Sequence, residues 1–297
     1  MNYTIHQLRI FLKVVQTQSI TKASEELFMT QPAVSIQLKN LQQQFDIPLT
    51  EVVGRKLYIT EFGHEVAKIA ERVIQEVESI NYKTHAFQGM LTGKLHVSSA
   101  STGKYVIPYF LSGFLEKHTE IDLVLDVTNK SRVVESLKNN EIDFALVSVL
   151  PDKLHVEEEV LIANKLFLMG SESTRNEAKP LIYREAGSAT RVAMEHYFET
   201  HVGKHRKRME LTSNEAVKQA VIAGIGYSIM PLIGVHNELL NEEIHIIPTP
   251  ELPIQTDWRL VWLSGKKLSP VSQAFLDYIR EGKHHIIQKH FSWYLKY

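Results

Sequence analysis

Gln31, Ser35, Gln37, Lys39 and Asn40 are spaced to occupy the exposed side of one short helix. A carboxamide can pair bidentately with adenine, and a hydroxyl can donate or accept, so these are side chains suited to a DNA major groove. Thr21, Thr30 and Lys39 can hold phosphates, partly through helix N-termini. Arg55 and Lys56 sit at a candidate hairpin tip, where a minor groove or a phosphate is in reach. A polar, solvated face on a small helical domain satisfies the same spacing. A second chemistry recurs further along the chain. Ser98, Ser99, Ser101, Thr102 and Gly103 precede a helix beginning near Lys104. Asn129, Lys130 and Ser131 end a second strand-like run, and Ser148 ends a third. Gly187, Ser188, Thr190 and Arg191 open another helix. Hydroxyls, helix N–H groups and nearby cations such as Arg132 make anion sites, although each loop by itself also reads as a helix cap.

Other chemistries are excluded or weak. The 297 residues contain no cysteine, so disulfides, thiolate catalysis and Cys-ligated metals are out. Gly224-Ile225-Gly226 follows a helix and precedes a strand, the wrong context for a dinucleotide loop. The histidines, including His201, His205, His284, His285 and His290, show no recognised metal spacing. The basic run Lys204–Arg208 reads as a solvated loop. No nucleophile–base pair stands out, so no enzyme, cofactor or metal is expected. A net charge of −1 permits a local DNA surface without making the chain a polycation. Residues 1–18 lack a leader pattern, and no apolar run nears the ~20 residues that span a bilayer, so the expectation is a cytoplasmic protein with no membrane partner.

These residues need elements to position them. Leu8, Phe11, Leu12 and Val15 predict a first helix. Thr21 is the expected cap of a short second helix carrying Ala23 and Leu27. Thr30 and Pro32 open a third, with Val34, Leu38 and Leu41 inward. Residues 49–60 read as a small β wing with Gly54-Arg55-Lys56 at its tip. From 61 to 88, Val66, Ala70, Val73, Val77, Ile80 and Phe87 form a coiled-coil-like seam. That helix packs on its own domain or pairs with another chain. From Leu95 onward, strands Leu95–Ser99, Leu123–Thr128, Phe144–Val149, Lys165–Gly170 and Tyr227–Met230 alternate with helices, an α/β pattern. Ligands in such folds gather beyond strand carboxyl ends.

The first sixty residues resemble the DNA-binding domain of LysR-type transcriptional regulators. The matching positions include Phe11, Ser19, Ala23, Leu27, Thr30-Gln31-Pro32-Ala33-Val34-Ser35, Leu41, Pro48-Leu49, Thr60 and Gly63. Departures are Thr50-Glu51-Val52 in place of Phe-Glu-Arg, Ile36 where an arginine is frequent, and Gln42 where a glutamate is common. The resemblance implies a winged helix-turn-helix over 1–60 and a linker helix over 61–89. A two-lobed, periplasmic-binding-protein-like effector domain then fills 90–297, with lobe one at 91–163 and 266–297 and lobe two at 164–265. It implies double-stranded DNA, a small-molecule effector and RNA polymerase as partners, and an antiparallel linker-helix pair in a homodimer or homotetramer. The C-terminal pattern, including "SASTGKYVIP" and "TSNEAVKQAVIAGIGYSIMP", is most similar to the regulators of carbon-fixation (RuBisCO) operons, whose effectors are phosphorylated metabolites or nicotinamide nucleotides. Here Lys130 stands where that subgroup has arginine, and Leu150-Pro151-Asp152 lacks its glycine and paired prolines. The competing reading is a small-molecule binder or enzyme using the α/β cleft.

Candidate DNA contacts are therefore Ser19, Thr21, Thr30, Gln31, Pro32, Ser35, Gln37, Lys39, Arg55 and Lys56. Gln31→Ala or Ser35→Ala should each lower discrimination between sites by about 1–3 kcal/mol. Arg55→Ala should weaken all sequences evenly and reduce the salt slope. Binding to a matched and a mismatched duplex across a salt series separates the two outcomes.

Overall fold

A computed structural model describes residues 2–54, 56–87, 91–174, 176–201 and 207–297. The chain divides into two compact units, 1–89 and 90–297.

The N-terminal unit opens with α1 (Ile5–Thr17). Thr4 caps it by accepting from the Gln7 N–H at 3.2 Å, while the Gln7 side chain accepts from the Thr4 N–H at 2.8 Å. The buried face is Leu8, Ile10, Phe11 and Val14, so the stripe is rotated from the expected one, and Leu12 and Val15 are only half-buried. α2 (Ile20–Glu26) is capped by Ser19, whose oxygen accepts from the Lys22 N–H. Thr21, the expected cap, lies exposed in the first turn. The cap belongs at Ser19 because its backbone is extended (φ −154°, ψ 122°) where helical dihedrals begin one residue later. α3 (Gln31–Gln42) has the expected Thr30 cap and Pro32 in its first turn. The wing is the antiparallel pair β1 (Thr50–Val53) and β2 (Lys56–Ile59).

α4 (Glu61–Phe87) follows directly. Its Ala67 and Ala70 are buried in one core with Phe11, Val34, Leu41 and Leu49, and Val66 and Ile74 pack against that core. Ile69 (53% exposed) and Val73 (37%) face outward. The side chain of Phe87, the last expected seam position, lies outside the described residues.

In the C-terminal unit, β3 (Gly93–Ala100) leads through a 3-10 turn (Ser101–Tyr105) into α5 (Ile107–Lys117). Then come β4 (Ile121–Thr128), α6 (Lys130–Lys138) and β5 (Phe144–Val147). β6 (Val156–Gly170) is followed by β7 (Leu181–Arg184), α7 (Ala189–His201), β8 (Arg208–Leu211), α8 (Asn214–Ile222) and β9 (Ser228–Pro231). After a 3-10 turn, α9 (His236–Leu240), β10 (His245–Ile246), β11 (Ile254–Leu263) and α10 (Pro270–Phe291) complete the unit.

β3 pairs in parallel with β4 and β5 within a seven-stranded sheet ordered β10-β6-β11-β5-β3-β4, with β9 also on β6. β7 and β8 pair in parallel in the second lobe. The two longest strands, β6 and β11, run antiparallel and serve both lobes. Ile254–Asp257 pair with Ala163–Leu166, whereas Arg259–Val261 pair with Val160, Glu159 and Glu158 on one side and β5 on the other. β11 thus pairs with β6 along its length and, from Arg259 to Val261, with β5 as well. The strand run expected to start at Lys165 starts at Val156, because Glu157-Glu158-Glu159 lies on strand while reading as polar loop.

One glycine sets how α4 meets the wing. A Cβ on Gly63 would stand 2.1 Å from the Leu49 carbonyl oxygen. Thr60 secures the same corner, with its hydroxyl donating to the Pro48 carbonyl at 2.6 Å and accepting from the Gly63 N–H at 2.9 Å. Gly63→Ala should destabilise the N-terminal unit by about 1–3 kcal/mol, the cost of overpacking. Calorimetry on the full chain tests this, and an unmoved transition would show that the corner relaxes freely.

Candidate DNA-reading surface and effector cleft

The reading helix separates cleanly into two sides. Val34, Leu38 and Leu41 are buried, while Gln31, Pro32, Ser35, Lys39 and Asn40 are exposed and Gln37 is half-buried. The Thr30 and Ser19 hydroxyls are engaged as caps, accepting from the Ala33 and Lys22 N–H groups at the starts of α3 and α2. Lys56 is exposed at the start of β2, and Arg55 lies outside the described residues. The Gln42 side chain joins the end of α3 to the wing, accepting from the Leu49 N–H at 2.5 Å and donating to the Ile47 carbonyl at 3.3 Å.

In the C-terminal unit several predicted effector residues converge from opposite lobes. Asn129 caps α6 by accepting from the Arg132 N–H at 3.1 Å. Ser131, in the first turn of α6, donates to the Gly187 carbonyl at 3.5 Å. A Cβ on Gly187 would come within 2.9 Å of the Ser131 hydroxyl, and its φ of +88° also favours glycine. Ser188, next to Gly187, is buried, as are Ser99 and Thr102 at the end of β3 and in the 3-10 turn after it, and Ser148 and Thr190 are half-buried at the ends of their elements.

Three cations are placed otherwise. Lys130 donates to the Leu150 carbonyl at 3.4 Å, and burial pulls its pKa down, partly offset by Asp152. Lys104 lies against the ring of Tyr105 and lines a separate cavity of about 310 Å³ with Tyr109, Lys218, His236 and Trp293. Arg191 is turned to carboxylates, with contacts to Glu195 at 2.9 Å and Glu210 at 2.6 Å that push its pKa up. The aromatic tail packs on its own unit, where the Tyr294 hydroxyl accepts from the Lys165 N–H at 2.7 Å. Burial drives that phenol up to about 12.

Sequence reasoning missed Arg184. It ends β7 only 4% exposed, bound to Glu185 at 2.7 and 2.8 Å. Its remaining donors reach the Asn214 carboxamide of the same lobe and, at 3.2 Å, the Ser101 hydroxyl of the other. The available signal was an arginine closing the otherwise apolar run Leu181-Ile182-Tyr183. Arg184 is thus a buried, carboxylate-paired cation that contacts Ser101 of the first lobe, with Asn214 at the start of α8 beside it. That is chemistry for a small anion.

Comparison with known proteins agrees with both halves of this description. Residues 5–64 match the family of bacterial regulatory helix-turn-helix proteins of the LysR type, and residues 88–283 match the LysR substrate-binding domain. The chain belongs to the LysR family and is a DNA-binding transcriptional regulator with an effector-binding domain. The transcriptional activator CmpR of Synechocystis is 35% identical over 94% of this chain and 95% of its own. The RuBisCO operon transcriptional regulator of Acidithiobacillus ferrooxidans is 33% identical over 93% of each chain. The regulatory domain of Synechocystis CcmR, solved in complex with 2-PG, is 33% identical and covers 63% of this chain and 96% of its own, with a TM-score of 0.59. Full-length CbnR with its target DNA shares the fold at 19% identity and a TM-score of 0.61, covering 94% of this chain and 99% of its own.

Breaking a buried ion pair strands its other member. Arg184→Ala should lower stability by about 3 kcal/mol, and roughly 6–12 °C in the C-terminal transition. Removing Glu185 as well should recover part of that loss. No recovery in the double variant, measured by calorimetry, would show that the pair does not hold the cleft.

Proposed function

We propose that this regulator binds DNA as a homodimer or homotetramer and is switched by a small phosphorylated anion held between its lobes. The observation that carries the reading is the buried Arg184, which spans from Glu185 and Asn214 in one lobe to Ser101 in the other. An anion entering there would take donors from Arg184, Ser101 and Ser131 and from the N-termini of α6 and α7. The 2-phosphoglycolate bound by the related CcmR domain supports this class of ligand. Arg184 is itself paired with Glu185, so it would meet the anion as an ion pair through the donor it extends to Ser101, with Lys130, Arg191 and Lys104 acting around it.

A ligand shifts a two-state equilibrium only by its difference in affinity for the two states. Here the states would be lobe arrangements about β6 and β11. Coupling to DNA then requires a subunit contact, for which the outward Ile69 and Val73 of α4 are the best candidates. Two reading helices spaced by a DNA turn or a multiple of it favour palindromic sites. Thr30, Gln31, Pro32, Ser35 and Lys39 form the reading surface of each, with Arg55 and Lys56 on the flanking backbone. RNA polymerase contact would follow from repositioning this dimer.

The test pairs 2-phosphoglycolate with glycolate, which lacks the phosphate. At a hundred times its Kd, a ligand of the folded state adds about 2.7 kcal/mol of stability. Stabilisation by the phosphorylated acid alone, lost in Ser101→Ala, supports the reading. Equal effects of the two acids, or none, overturn the ligand class. The same preparation, used to select duplexes from a random pool, should return a palindrome, with selection lost when Ile69 and Val73 are both made Glu.

A further inference from the structure

The exposed side of α3 carries an apolar group that the DNA-reading surface proposed above does not use. Ile36 is 57% exposed, although it stands among Gln31, Ser35 and Lys39 on a helix holding no acidic residue. Pro32 lies one turn earlier, at the i−4 position of the same face, and is also exposed. Phe28, on the turn leading into α3, is 98% exposed. Its φ of +53° is a left-handed conformation that bulky residues adopt at a cost. Neither core packing nor local backbone preference explains an aromatic there.

The chemistry of the groove does explain an isoleucine on this face. Of the groups displayed on the major-groove floor, the thymine 5-methyl is the apolar one. An arginine on such a face donates to guanine or phosphate, whereas a branched aliphatic side chain cannot hydrogen-bond and can bury only a methyl. We propose that Ile36 reads a thymine 5-methyl group in each half-site, with Pro32 and Phe28 closing water away from the contact. The proposal rests on α3 being the reading helix. It goes further by fixing which base edge one side chain recognises.

The experiment uses the full chain and the duplex it enriches from a random pool. Each thymine of one half-site is replaced in turn by deoxyuridine, which removes the methyl and keeps the base pair. At one position the wild-type protein should lose about fourfold in affinity, the worth of one buried carbon. Ile36→Val should keep that sensitivity, while Ile36→Ala should bind the thymine and deoxyuridine duplexes equally. Thermal midpoints near wild type are expected for both, since position 36 is on the surface. An enriched duplex with no sensitive thymine overturns the proposal alone. So does a sensitivity that Ile36→Ala retains in full. Failure to enrich any duplex overturns the reading surface itself, and this assignment with it.

Discussion

The antiparallel ladder between β6 and β11 is the constraint on which the C-terminal unit depends. Each strand is long enough to enter both lobes, so the backbone hydrogen bonds that join the lobes are those that build each sheet. The pairing skips a residue between Trp258 and Arg259, where Leu161 has no partner on β11. An extra residue of this kind bends a strand and increases its local twist. The irregularity falls where the ladder passes from the second lobe to the first. The two strands thereby hold the lobes together through one ladder. Polar contacts of the cleft cross from one lobe to the other. Arg184 reaches Ser101, and Ser131 reaches Gly187. These polar contacts stand beside a continuous apolar core in which Val97, Phe110 and Phe144 share one cluster with Ile182, Val221 and Met230.

The N-terminal unit relies on small residues and carboxamide or hydroxyl contacts at its corners. Gly63 against Leu49, Thr60 against Pro48 and Gln42 across to the wing bring α3, β1 and α4 together. With Ala67 and Ala70 committed inward, α4 presents Ile69 and Val73 on its other side. One helix therefore serves two surfaces, which the 4–3 seam in the sequence had merged into one.

What could be read in advance follows how local each feature is. The Thr30 cap, Pro32 and the inward Val34, Leu38 and Leu41 depend on neighbours within a few residues, and they stand as the sequence indicates. The cap of α2 falls two residues before the expected Thr21 because serine and threonine are both capping types and the extended backbone lies at Ser19. β6 was half hidden, since its glutamates meet Arg259, Arg280 and Lys283, all more than a hundred residues away in the chain. Arg184 was hidden for a related reason, because Ser101 and Asn214 are remote in sequence from it. The polar loops of the cleft were legible as N-caps. How each cation is partnered was not, because Glu185 holds Arg184, Glu195 and Glu210 hold Arg191, and the Tyr105 ring lies against Lys104.

Gln42 has one more consequence. A glutamate at that position would tie the recognition helix to the wing through a titratable group, and the angle between them would then respond to acid and to added electrolyte. A neutral carboxamide donating to one peptide and accepting from another has no such dependence. This one joint between the recognition helix and the wing therefore carries no titratable group, whereas the Lys13–Glu26 ion pair between α1 and α2 is open to screening by salt. Ionic strength also acts on the complex with DNA through the counterions that phosphates release. The slope of log affinity against log salt then follows the number of phosphates touched, at about −0.9 for each on B-form DNA.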